Sequence, residues 1–285
     1  MRKNKIVMSL AAALLSVTAY GQDFERGKEL VNGVAGCGLC HTPHPDGPYP
    51  TEPVFGGGVR MPIPKSEVFG RNITPDPETG IGKWTDQQIV RAIREGVRPD
   101  GSVIGPPMAF GMYRRIADAD VNAMVAYLRT LPPVKNQVPP AQFGIPIPPS
   151  YGPPVTEVVV APPRTDLVKY GEYLAGPIGA CMQCHTGSSG PSPTADDFKN
   201  KLGAGGRTIG SSKGPAVSRN LTPHETGLGK WSDADIEKAI RKGVRPDGTE
   251  LKPPMPYPLY DNIGTEDMRA IIAYLRSLKP LPMGG

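Results

Sequence analysis

Cys37, Cys40 and His41 form a C-x-x-C-H, and Cys181, Cys184 and His185 repeat it 144 positions later. Two thiols at i and i+3 can each form a thioether to one vinyl group of a single haem. The imidazole that follows is then held beneath the iron as the proximal ligand. The chain has four cysteines in all, so the two motifs use every one and leave none for a disulfide framework or a further Cys-rich site. The competing readings are a thioredoxin-like redox pair and half of a zinc site. A His placed directly after the second Cys, twice, favours two covalently attached haem c groups, and a four-Cys zinc site leaves both His residues without a role.

The N-terminus fits export. Arg2, Lys3 and Lys5 form a charged leader, 6–19 is mostly apolar, and Ala19-Tyr20-Gly21 offers small residues for cleavage. This stretch is short for a bilayer core of ~30 Å, so residues 1–21 read as a signal peptide and Gln22 as the mature start; an uncleaved anchor is the alternative. Bacterial c-type haem is attached outside the cytoplasmic membrane, so the expected location is a bacterial periplasm, with peripheral membrane association left open. The formal charge of +5 includes three positive charges from the leader, leaving 5 − 3 = +2 for the mature chain. Haem propionates bring the total near zero. A basic precursor pI therefore gives no argument for nucleic acid binding.

The elements that must position these residues occur twice. Asn72-Ile-Thr-Pro75, followed by Glu-Thr-Gly and Trp84, recurs as Asn220-Leu-Thr-Pro223, followed by Glu-Thr-Gly and Trp231. Gly96-Val-Arg-Pro-Asp-Gly101, Pro106-Pro-Met108 and Ala126-Tyr-Leu-Arg129 recur in the same order as Gly243–Gly248, Pro253-Pro-Met255 and Ala273-Tyr-Leu-Arg276. The expectation is an all-α chain of two tandem domains, 22–135 and 164–285, joined by a proline-rich linker at 136–163. Eleven prolines fall in 132–163, which excludes helix and central strand; both a docked and a free linker are open.

Within each repeat, Leu30 and Val31, then Leu174 and Ala175, belong to the inward face of a first helix. Thr85–Gln88 is a capping box, with Ser232–Asp235 its weaker counterpart. Val121, Met124, Val125 and Leu128 follow the i, i+3, i+4, i+7 pattern of a last helix, as do Met268, Ile271, Ile272 and Leu275. Gly27 and Gly171 suggest close helix crossings beneath Tyr127 and Tyr274. No alternating strand pattern of useful length is present.

Each iron needs a sixth ligand. His44 is too close to His41 along the chain to reach the opposite haem face, and His224 has no counterpart and reads as a turn residue. Met112 aligns with Leu259 and reads as packing, and Met61 has no partner methionine. Met108 and Met255 share the Pro-Pro-Met context and are the expected distal ligands. A thioether favours ferrous iron and raises the potential.

The order C-x-x-C-H, Asn-[Ile/Leu]-Thr-Pro, Pro-Pro-Met, Ala-Tyr-Leu-Arg resembles the haem domains of class I cytochromes c. It is most similar to the multihaem cytochrome subunits of bacterial membrane-associated alcohol, aldehyde and gluconate dehydrogenases. The resemblance implies the all-α cytochrome c fold, proximal roles for His41 and His185, and distal roles for Met108 and Met255. The function it implies is single-electron transfer between a dehydrogenase donor and a respiratory acceptor, an oxidase or another cytochrome. A dihaem enzyme, such as a peroxidase or thiosulfate-oxidising cytochrome, needs one haem with an open distal site and an acid–base group beside it. Both repeats keep the same Met context and neither adds a distal His or Cys, so the carrier reading is preferred and no catalytic residue is assigned.

Overall fold

The computed structural model describes residues 24–44, 54–188, 190, 192–210 and 214–285. The leader at 1–21 lies outside the described residues. The first half contains α1 (24–34), α2 (Gly38–His41), α3 (Asp86–Glu95), α4 (Phe110–Tyr113) and α5 (Asp118–Thr130). The second contains α6 (Leu167–Tyr173, continued as a π turn at Leu174–Ile178), α7 (Cys181–His185), α8 (Ala195–Asn200), α9 (Asp233–Lys242), α10 (Tyr257–Tyr260) and α11 (Thr265–Ser277). The regular strands described are β1 (Thr208–Ile209) and β2 (Ala216–Val217), a short antiparallel ribbon. Among the described residues no helix is long and apolar enough to cross a membrane.

The first and last helices of each half cross where the paired glycines lie. A Cβ on Gly27 would overlap the Ala123 carbonyl and meet Tyr127 Cβ, and one on Gly171 would overlap the Ala270 carbonyl and meet Tyr274 Cβ. α1 ends in a π turn, Leu30–Val34, matching that of α6. This wider turn was not legible from periodicity. It brings Leu30, Val31, Leu174 and Ala175 to complete burial. Both capping boxes are fully formed, at Thr85–Gln88 and at Ser232–Asp235, so the second is as complete as the first. α3 and α9 each end at a left-handed glycine, Gly96 and Gly243, a conformation that other residues adopt at a cost.

The Asn-x-Thr segment is a buried staple. Asn72 Oδ1 accepts from the Thr74 N–H and hydroxyl, while its amide donates to Val134 O beyond α5. Asn220 does the same with Thr222 and Leu281 O. Arg129 and Arg276, the last residues of the Ala-Tyr-Leu-Arg repeats, reach the same turn from the other side. Each donates to the carbonyl of its Trp, Trp84 or Trp231, and to the carboxylate of Asp86 or Asp233. The repeated motifs thus tie each turn to the final helix of its own half.

The proline-rich stretch lies docked on the first half. Arg71 donates to Val138 O and Pro139 O, and Glu67 and Gln142 exchange backbone hydrogen bonds at 2.8 Å. Tyr151 donates to Ile104 O, and the Asp118 N–H donates to Val159 O.

The two halves pack through α1, α5, α6 and α11, and one continuous apolar core includes residues of both. The contacts are reciprocal: α4 packs on the π turn of α6, and α10 packs on that of α1. At the centre Arg26 bonds Asp267 Oδ2 at 2.5 Å, Asp120 Oδ1 at 3.1 Å and the Tyr170 hydroxyl at 2.7 Å. Tyr173 donates to Asp120 Oδ2 at 2.6 Å. Burial alone would lower the Arg26 pKa, but the two carboxylates outweigh it, and the guanidinium stays charged.

Candidate functional site

α2 and α7 present the two C-x-x-C-H motifs at the ends of single helical turns, so that both thiols and the imidazole of each motif lie within one turn. His41 Nδ1 lies 2.6 Å from Arg71 O, and His185 Nδ1 lies 2.8 Å from Arg219 O. A carbonyl only accepts, so Nδ1 carries the proton and the Nε2 lone pair is left for a metal. Burial holds both imidazoles below their ordinary pKa, against the opposing effect of these carbonyl bonds. They are therefore neutral at pH 7, the form that ligates iron.

The His backbone is held identically in both halves. His41 O accepts from Gly57 N and His185 O from Gly205 N, each at 2.8 Å. Gly57 and Gly205 have φ of 76° and 68°, a region that disfavours other residues. Sequence reasoning passed over these two glycines. The signal that could have found them is their common placement, 15 residues before Asn72 and Asn220.

The four thiols are pushed upward by burial. Cys37 and Cys181 rise to about 12, each helped by its partner cysteine, and Cys40 to about 11; Cys184 is raised as well. A redox-active C-x-x-C needs the opposite, a depressed thiol pKa. Among the described residues no group of three or more His, Cys, Asp and Glu is placed to hold a metal ion by itself. Paired un-ionised thiols beside a neutral imidazole whose Nε2 is unengaged fit covalent haem.

Met108 and Met255 occupy equivalent, half-buried positions, each after a cis Pro–Pro bond and shortly before α4 or α10. Met61 and Met112 are buried in packing instead. His224 Nδ1 accepts from the Thr226 N–H at 3.1 Å, as Asp76 Oδ1 accepts from the Thr79 N–H at 2.7 Å in the other half. It is a turn residue. His44 Nδ1 lies 2.8 Å from Thr42 O, on its own side of the motif.

The halves bring the two motifs toward each other. Tyr113 on α4 lies within electrostatic reach of all four cysteine sulfurs; burial first, and those sulfurs second, hold its hydroxyl well above the usual tyrosine range. From the second half Tyr260 packs toward Gly36, next to Cys37. The sequence carried no sign of this juxtaposition.

A helical fold with thioether-spaced thiols, an engaged proximal imidazole and a methionine loop defines a c-type haem protein. The family model for cytochrome c matches residues 24–132 and 177–279, and the chain belongs to the cytochrome c family. Its cofactor is haem c, and the role the family supports is electron transfer. The chain is 30% identical to the cytochrome c subunit of a quinone alcohol dehydrogenase from Gluconobacter oxydans (strain 621H), over 97% of this chain and 61% of that protein. It is 27% identical to the cytochrome subunit of fructose dehydrogenase from Gluconobacter japonicus, over 92% of this chain and 54% of that protein. A dihaem cytochrome c from Cereibacter sphaeroides is 29% identical over 87% of this chain and 83% of its own length. The chain thus spans only part of the two dehydrogenase subunits.

Proposed function

We propose that the chain is an exported bacterial dihaem cytochrome that takes single electrons from a dehydrogenase and passes them to a respiratory acceptor, an oxidase or another cytochrome. Cys37 and Cys40 hold one haem c, and Cys181 and Cys184 the other. His41 and His185 are the proximal ligands; Met108 and Met255 are the distal ones. The units are residues 22–135 and 164–285, with 136–163 between them and 1–21 removed on export to the periplasm.

The observation that carries this reading is the duplicated proximal arrangement: in each half the His Nδ1 is spent on the carbonyl of an arginine that precedes the Asn-x-Thr staple. The bound group supplies an iron that alternates between ferric and ferrous, with a potential that axial ligands move over ~0.8 V. The carbonyls fix the imidazole tautomer and orientation, and the Asn-x-Thr staples hold those carbonyls in place. Tyr113 lies within electrostatic reach of the sulfurs of both motifs, which supports passage of electrons between the two centres within one chain. The cytochrome subunits named above, of an alcohol and a fructose dehydrogenase, support a dehydrogenase as the donor.

Pyridine haemochrome spectra with mass spectrometry of the mature protein should count two covalent haems. The Cys181→Ser, Cys184→Ser double variant should retain one. A single haem in the wild type refutes the dihaem assignment. Steady turnover of hydrogen peroxide or thiosulfate near ~10 s⁻¹, a common enzyme rate, refutes the carrier reading.

A further inference from the structure

The docked proline-rich stretch touches the supports of both axial ligands in the first half. On the proximal side the Arg71 carbonyl receives His41 Nδ1, and the Arg71 side chain donates to Val138 O at 2.9 Å and Pro139 O at 2.6 Å. On the distal side the Phe143 ring lies directly on Gly105, where a Cβ would overlap it. Tyr151 donates to Ile104 O at 2.9 Å and packs against Phe110 in a tilted pair with ring centroids 4.7 Å apart. Residues 104, 105 and 110 bracket Met108. The stretch is itself pinned between these grips by the Glu67–Gln142 backbone pair and by Gly144 N donating to Ser66 Oγ.

Among the described residues the equivalent positions in the second half are more exposed. Arg219, the counterpart of Arg71, is exposed, as is Lys252, the counterpart of Gly105. The two halves are alike in their ligand-bearing motifs and unlike in what lies over them.

We propose that residues 138–151 clamp the ligand loops of the first centre, with Phe143 and Tyr151 as positioning residues for Met108. The first centre thereby resists exchange of its distal ligand, and the second yields first. This inference rests on the ligand assignment proposed above. Release of the Met108 thioether from a haem held here would be eased by outward movement of the 104–110 loop, and the Tyr151 hydrogen bond and the Phe143 contact oppose that movement. Releasing Met255 meets no such barrier from this stretch.

The test is titration of full-length ferric holoprotein with imidazole, following the far-red charge-transfer band of Met-ligated haem. The wild type should lose the band in two steps. Met255→Ala should abolish the step at lower imidazole, and Met108→Ala the step at higher imidazole. Tyr151→Ala or Phe143→Ala should tighten imidazole binding at the first centre by about three- to tenfold, the scale of one hydrogen bond and its packing. Tyr151→Phe, which keeps the ring, should show a smaller change, and Phe143→Leu should restore most of the resistance. None of these four should alter imidazole binding at the second centre, that of Met255. A wild type whose two centres exchange together overturns the clamp, as does a Tyr151→Ala protein with both affinities unchanged. If Met108→Ala leaves the band at full strength, the ligand assignment fails, and the clamp fails with it.

Discussion

At the residue scale, each proposed ligand depends on a neighbour that holds it. Neutral imidazoles, un-ionised thiols and a thioether are poor at choosing their own orientation in a loop-rich pocket, so backbone carbonyls and buried amides do it for them. The His and Cys residues were legible because their spacing is itself the chemistry. Their supports were not, because a carbonyl acceptor such as Arg71 O has no side-chain signature. Met108 and Met255 are equivalent in context, so each should contribute about half of the far-red Met-to-iron band of the ferric protein. Met108→Ala and Met255→Ala should each lose about half of that band, and the corresponding haem's potential should fall, because a soft thioether stabilises ferrous iron. Spectra and potentials unchanged in both variants would return attention to the other methionines and to His224.

At the element scale, the helix crossings set how close each C-x-x-C-H comes to the final helix of its half. Helix propensity alone favours Gly→Ala by about 1 kcal/mol. At Gly27 and Gly171 that gain meets a backbone carbonyl, which cannot rotate out of the way as a side-chain tip can. Overpacking of this kind costs about 1–3 kcal/mol, so Gly27→Ala and Gly171→Ala should both lower the melting temperature of the holoprotein. Gly111, exposed on the outer side of α4 with no heavy atom within 4 Å of a Cβ, is the contrast: Gly111→Ala should be neutral or slightly stabilising. Equal effects at all three sites would show that the crossings are not tight. The glycine pairing was visible in the repeat; the π turns that follow these helices were not, since a widened turn leaves the apolar spacing nearly unchanged over so few residues.

At the scale of the whole molecule, one charged side chain joins the halves. Arg26 on α1 pairs with Asp267 on α11 and with Asp120 on α5, and the side chains of all three are largely buried. Asp267 Oδ1 has no hydrogen-bond partner, so the site depends on the guanidinium for compensation. Arg164, 3.9 Å away and exposed, adds little. Removing one partner of a buried pair costs ~3–5 kcal/mol because it strands the remaining charge. Arg26→Met should therefore lower the melting temperature of the holoprotein by about 6–12 °C for ~3 kcal/mol in a unit of this size. Adding Asp267→Asn to Arg26→Met should recover part of the loss by discharging the stranded group. A single variant that melts with the wild type would place the stability of the interface in its apolar contacts instead.

The cofactor class, the helical fold, the duplication and the equivalence of the two methionines were written in the chain, because each depends on local spacing or on a repeat that can be aligned by eye. The same sequence left open whether residues 132–163 were free or docked, since proline excludes regular structure without saying what the chain lies against. It was silent on the Arg26 cluster: Arg26, Asp120 and Asp267 are ordinary helix-surface charges until two halves meet. The proximity of the two C-x-x-C-H motifs and the unequal covering of the two methionine loops depend on contacts between residues far apart in the chain. Only the tertiary packing decides such contacts, because each surface looks the same to its own segment whether or not another segment covers it.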